Sequence, residues 1–305
     1  MFKWIQSHKT TVLLALGYLT AGVILLTVFL YLTFPWQKLS DFILVKAEEA
    51  MVSEIEVKES EIRFPLKLIW TGVVVSPHKA PHTDGRPMRV VADRITLEWP
   101  LGPLLSRRME LLWSVETAGG EGRGWMAVQP TDQGLQYHFR GDAKQLRLGQ
   151  IIEFMTPNTY GIEGTVKIAD ARFDFLGSDV LRGSGSAVLE VSDARISSLD
   201  LAFSRITGQL SMKAGVANLE NVMAQGPAIE LVGGGNILLR SGLPESLINF
   251  NSRASVKKAT GPLSILGGSS AEGGPESGIE LALRGTFKRP TLFFNGVPVF
   301  TFPST

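Results

Sequence analysis

Residues 161–175 read GIEGTVKIADARFDF, and residues 183–196 read GSGSAVLEVSDARI. In an extended strand successive side chains point to opposite faces, so the parity of the residue number reports the face. Before Asp170 the apolar residues Val166 and Ile168 are even, and after it Ala171, Phe173 and Phe175 are odd. In the second stretch Ala187, Leu189 and Val191 are odd, then Ala194 and Ile196 are even. VKESEI at 57–62 has the same grammar: Ile55 and Val57 precede the acids on one parity, Ile62 and Phe64 follow on the other.

A one-residue slip turns every later side chain to the other face, which a half-buried strand does not accept. A β-bulge or tight turn supplies the extra residue and restores the apolar face. Bulges are therefore expected at these three places, with Asp170 and Asp193 aimed outward, because burying an unpaired carboxylate is costly. The competing reading makes Asp170–Arg172 and Asp193–Arg195 a chemical site. VVADRITLEW at 90–99 matches only in part, since Val91, Asp93 and Ile95 keep one parity. No phase change is expected there.

Working outward, EIEVK, LKLIWTGVVV, MRVVADRITLEW, MELLWSVETA, GWMAVQP and GLQYHFRG are short and rich in β-branched and aromatic residues. Gly, Pro and Asp clusters separate them, the pattern of strands and turns. Strands resume through ITGQLSMKAGVANL and AIELVGGGNILLR to the closing GIELALRGTFKRPTLFF. No fixed repeat period is present, which argues against a propeller or strict solenoid and for a long antiparallel meander. DAKQLRLGQIIEFM places Leu146, Ile151, Ile152 and Met155 for one helical face, predicting a helix over 143–155. The stretches 76–87 and 266–278 read as a turn-rich connection and a Gly/Ser-rich loop.

Towards the N-terminus, TTVLLALGYLTAGVILLTVFLYLTF at 10–34 carries no charge. About 20 such residues cross a bilayer, so a transmembrane anchor is expected at 10–35 rather than a cleaved signal peptide. Lys3 and Lys9 precede it and Asp41, Glu48 and Glu49 follow, which places residues 1–9 in the cytoplasm and the bulk across the membrane. PWQKLSDFILVKAEEAMVSE has Leu39, Phe42, Ile43, Ala47, Ala50 and Met51 at helical spacing. This predicts an amphipathic helix at 36–53 that lies at the interface, plugs the sheet end or caps the core. A first β region at 54–142 and a second at 143–305 complete the division.

The composition excludes several chemistries. No cysteine is present, so disulfides, thiolate zinc sites and a thiol nucleophile are absent, and the formal charge of +1 gives no nucleic-acid footprint. His78 and His82 have Lys, Ala and Pro between them, so no helix presents them together, and His8 and His138 lie elsewhere. GSGS at 183–186 and GGG at 233–235 flank strands rather than opening helices, so they do not read as phosphate cradles. No catalytic constellation emerges; the reading is a protein without enzymatic activity, cofactor or metal.

The layout resembles a known family. TFPWQKL at the exit of the anchor, LRLGQIIEFM leading to YGIEGTVKIADARF, GGGNILLR followed by INFNSRASVK, and LRGTFKRPTLFF with Gly285, Thr286 and Pro290 are similar to AsmA-like proteins. Together they look most like the AsmA-related branch of the type II secretion system protein N family; residues 76–135 match nothing in it. The resemblance implies a mainly β protein: an N-terminal transmembrane helix, then a long, curved, largely antiparallel sheet with one or two short amphipathic helices. It implies a single-pass cell inner membrane protein with periplasmic bulk, working with other secretion-system proteins. It also implies a second role, an apolar groove carrying phospholipid or lipopolysaccharide between membranes. The expected groove residues are Val166, Ile168, Phe173, Phe175, Leu189, Val191, Ile196, Leu210, Met212, Ile237 and Leu239.

Overall fold

The computed structural model describes residues 9–33, 35–51, 53–63, 66–77, 90–100, 102–103, 109–117, 119–132, 134–155, 161–177, 179–240, 245–257, 279–287 and 289–301. The stretch at 266–278, nearly all of that at 76–87, His8, His78 and His82 lie outside the described residues. The chain separates into two compact units, Met1–Ala47 and Glu48–Thr305.

The first unit holds helix α1, Lys9–Thr33, and most of helix α2, Trp36–Met51. Leucine-rich sequence favours the helix in α1, and Pro35, which cannot continue a helix, separates it from α2. Among the described residues no helix is long and apolar enough to cross a membrane. The side chains of α1 are described only in part, while its backbone helix runs unbroken for 25 residues.

In the second unit fifteen strands form one antiparallel sheet in strict sequence order, and the protein is mainly β. The strands are β1 Ser53–Arg63, β2 Lys67–Pro77, β3 Val90–Glu98, β4 Met109–Thr117, β5 Gly120–Thr131 and β6 Gly134–Arg147. Then follow β7 Ile162–Leu176, β8 Asp179–Ile196, β9 Leu201–Lys213, β10 Val216–Gln225 and β11 Ile229–Leu238. β12 Leu247–Val256, β13 Ile279–Thr286, β14 Arg289–Phe294 and β15 Val297–Thr301 close the sheet. Each strand pairs with its chain neighbours, so no strand crosses over another in the sheet. The tightest core gathers Ala194, Phe203, Ala224, Ile229, Ala254 and Ile279 on one face of β8–β13.

Helix α3, Leu148–Met155, interrupts the meander between β6 and β7 and packs against β7. It starts five residues later than the expected 143. Strand β6 runs through 142 and 143 to Arg147, paired with β7 along its length. The misreading has a physical cause. Gln145 is an extra residue in the β6 ladder with φ 55°, so Ala143 and Leu146 share a face three residues apart, the spacing that imitates a helix.

Asp170 has φ 51° and is the extra residue of β7 against both neighbours, where the register shifts between Ala169 and Arg172. Asp193, φ 52°, is the extra residue of β8 against β7. Both acids are exposed, as expected. Asp and Asn tolerate the left-handed conformation because their short polar side chains make local hydrogen bonds. Asn221, φ 52°, makes a further bulge in β10 that the parity reading did not find.

The change at 57–62 has a different construction. Val57 pairs Val73 and Glu59 pairs Thr71 with no register shift, yet the inward set passes from Ile55 and Val57 to Ile62. β2 makes the same change at the same level, where Gly72 has φ 64°. β3 makes it too, which corrects the expectation for VVADRITLEW. Ala92 is buried, Val91 is 48% exposed, and Trp70 pairs Ile95, so the inward parity switches at Asp93 and Arg94. Three adjacent strands absorb the extra residue together, and their ladder stays in step.

Candidate functional site

The bulges keep one face of the sheet apolar over many strands. Val166 pairs Val191, which pairs Ile206, and Ile206 pairs Ala224. The row continues through Leu231, Ala254 and Ile279. A second row runs from Phe139 through Phe173, Gly185 and Met212 to Ala217, Ile237 and Ile248. Between them lies a third, Ala187 with Leu210, Leu219, Gly235, Phe250 and Leu283. Among the described residues no charged side chain falls on this face within the paired parts of β4–β14.

The expected groove residues sit as follows. Val166, Ile168, Phe173 and Phe175 on β7, Leu189, Val191 and Ile196 on β8, Leu210 and Met212 on β9, and Ile237 on β11 share this face. Leu239 lies just past the end of β11, where its N–H donates to the Gly215 carbonyl at 2.8 Å. Val166 and Met212 are buried, whereas Phe173, Phe175, Leu189 and Val191 keep part of their surface accessible. The face is therefore partly self-covered rather than an open wall.

An aromatic run on β4–β7 was not foreseen. Trp113 stacks on Phe139 with centroids 5.4 Å apart, Phe139 meets Phe173 at 6.4 Å, and Phe173 stacks on Phe175 at 6.1 Å. These rings lie flat because glycines adjoin them. A Cβ at Gly185 would sit 2.1 Å from Phe173 Cδ1, and one at Gly124 would sit 2.8 Å from Trp113 Cζ2. The ring thus shields a backbone that lacks its own side chain. The alternation of Leu111, Trp113 and Val115 was the signal that could have placed Trp113 here. Its Nε1 is buried with no hydrogen-bond partner among the described residues.

The acids and arginines of the Asp-Ala-Arg motifs are exposed on the opposite face, while Ala171 and Ala194 are buried on the apolar one. The Asp170 N–H, freed by the bulge, donates to the Asp142 carboxylate at 3.0 Å, and Arg172 pairs with Asp170 at 3.5 Å. These contacts complete the bulge. His138 on β6 pairs with Asp174 on β7 on the same outer face. Among the described residues no group of three His, Asp or Glu could hold a metal.

No family model, curated protein or solved structure matches this chain.

Proposed function

We propose that this chain is a non-enzymatic, inner-membrane-anchored component of the type II protein secretion system. Residues 10–35 span the bilayer, and the sheet stands on the periplasmic side. One observation carries the reading: fifteen antiparallel strands in strict sequence order keep one apolar face, on which no charged side chain falls among the described residues of β4–β14. That layout supports what the resemblance to the AsmA-related branch of the secretion protein N family implies, a long, largely antiparallel sheet. The partners are the other inner-membrane proteins of the apparatus. The test is affinity purification of the full chain from its native membrane, alongside deletion of its gene. Co-purified secretion components and lost exoprotein release are the expected results. Intact release with no secretion component recovered would sink the reading.

The apolar rows favour a second reading, an AsmA-like carrier of phospholipid or lipopolysaccharide between the two membranes. Acyl chains would lie along the rows through Phe173, Val191 and Ile237, where burial of each CH₂ contributes about 0.8 kcal/mol. Lipid extraction and mass spectrometry of the purified chain tests it. Recovery of stoichiometric lipid that Val191→Glu removes is expected. A lipid-free preparation that still supports secretion would leave only the first reading.

A further inference from the structure

The outer face carries a pattern that neither reading uses. Arg172, Ser186, Ser211, Asn218, Asn236 and Asn249 are successive cross-strand partners on β7–β12. Arg284, Thr291 and Thr301 continue the same row to β15. On the other side Arg172 pairs Arg140, and Arg140 pairs Trp125. Every position from β6 to β15 can hydrogen-bond, and none is acidic. Ser186, Ser211, Asn218 and Asn236 make no side-chain hydrogen bond within the described residues, so their donors and acceptors face solvent unpaired.

Both ends of the Ser/Asn segment are built alike. Arg140 stacks over Trp125 at 5.3 Å, and Arg284 stacks over Phe293 at 5.5 Å. Each pair lines a surface depression. The first depression also holds Arg123 opposite Asp142, and Asp170 paired with Arg172, so Arg140 remains in excess. The second holds Glu280 opposite Arg253, so Arg284 remains in excess. Arg140 and Arg172 stand directly opposed, and while Asp170 pairs with Arg172, Arg140 faces a like charge.

Seven strand steps separate Arg140 from Arg284, roughly 35 Å at about 4.8 Å per step. A ligand that meets both ends is a linear polymer with hydrogen-bonding groups at a short, even repeat and some negative charge. An extended peptide gains its affinity by adding to a sheet edge, whereas the segment from Trp125 to Arg284 crosses interior strands β5–β13. Nucleic acid requires a far more basic surface than a chain of net charge +1 offers. A β-linked sugar chain advances by close to one strand spacing per ring, offers hydroxyls to amides, and stacks its ring faces on aromatic side chains.

We infer that the outer row from Trp125 to Arg284 binds an extended, acidic, β-linked glycan. Such binding stands whether or not the chain works in secretion, and it uses the face opposite to any lipid. The probes are a β-linked oligouronate of about eight units, one per strand step, its half-length form, a neutral β-glucan of equal length, and poly-glutamate. Binding to the detergent-solubilised full chain is measured by calorimetry. The long oligouronate is expected to bind most tightly. Asn218→Ala with Asn236→Ala should weaken it about tenfold, the worth of two modest hydrogen bonds. Arg140→Gln with Arg284→Gln should erase the preference over neutral glucan; this pair keeps the Asn row intact and serves if the first variant does not fold. Poly-glutamate binding as tightly as the oligouronate, equal affinity for both lengths, or no glycan binding at all would overturn the inference.

Discussion

The Asp170 backbone N–H and the Asp142 carboxylate, 3.0 Å apart on neighbouring strands, close the bulge that keeps the β7 apolar face in phase. An extra residue in one strand leaves backbone groups without ladder partners, and here a side chain from the adjacent strand supplies one of them. The conformation and the acceptor are separable. Asp170→Asn keeps a residue that tolerates φ 51° and is expected to change stability by less than about 0.5 kcal/mol. Asp170→Val places a β-branched residue there and should cost about 1–3 kcal/mol. Asp142→Ala removes an exposed acceptor and should cost about 0.5–1.5 kcal/mol. Denaturant unfolding of the three variants measures all of this, and a Val variant as stable as the Asn variant would refute the strain argument.

The phase changes at Asp170 and Asp193 were readable because apolar residues on both sides record their face by parity. The bulge at Asn221 was not, since Val216 and the 48% exposed Met223 are apolar yet outward and blur the change from Ala217 and Leu219 to Val222 and Ala224. At Asp93 the reading failed because Val91 is apolar yet outward, while Ala92 fills the buried position with little hydrophobic signal. Small residues inside and large ones outside defeat a pattern count. The candidate face was legible for the same reason as the bulges, through alternation on β7–β9. The aromatic run on β4–β6 was obscured because its inward partners are glycines, which carry no hydropathy signal of their own. The outer polar row was invisible in the sequence, since it exists only once the registers of nine strand pairs are known.

Gly185 and Phe173 make a steric prediction. A Cβ at residue 185 would meet Phe173 Cδ1 at 2.1 Å and the Arg172 carbonyl at 2.5 Å. Gly185→Ala is expected to cost about 1–3 kcal/mol through overpacking. Phe173→Leu removes the ring that collides, so the double variant should recover part of the loss, with a coupling of about 0.5–3 kcal/mol for residues in contact. Strict additivity in the double-mutant cycle would show that the backbone clash alone sets the cost.

Trp113 lies flat across Gly124 with a buried N–H that no acceptor among the described residues meets. An orphaned donor of this kind costs about 1–3 kcal/mol, close to what the larger indole surface gains by burial. Trp113→Phe is accordingly expected to change stability by less than about 1 kcal/mol, whereas Trp113→Ala should lose about 3–5 kcal/mol. Equal losses from the two substitutions, measured by thermal and denaturant unfolding, would mean that the N–H does have an acceptor.

Glu61 and Arg63 supply the pH prediction. They sit two residues apart on the exposed edge strand β1, with Arg63 Nε and Nη2 donating to the two carboxylate oxygens at 2.7 and 2.9 Å. These hydrogen bonds, and after them the guanidinium charges of Arg63 and Arg94, hold the Glu61 carboxyl below its ordinary value of 4.5. A depressed carboxylate pKa contributes stability above the unfolded value and loses it as the pH falls through the folded value. The pair's contribution is therefore present at neutral pH and fades only below pH 4.5. Because both side chains are exposed, salt should weaken it further. NMR titration of the Glu61 carboxyl in the wild-type chain and in Arg63→Gln provides the measurement. The folded midpoint should rise towards the ordinary value in the variant and shift upward with added salt in the wild type. A midpoint that Arg63→Gln leaves in place would assign the depression to another cause.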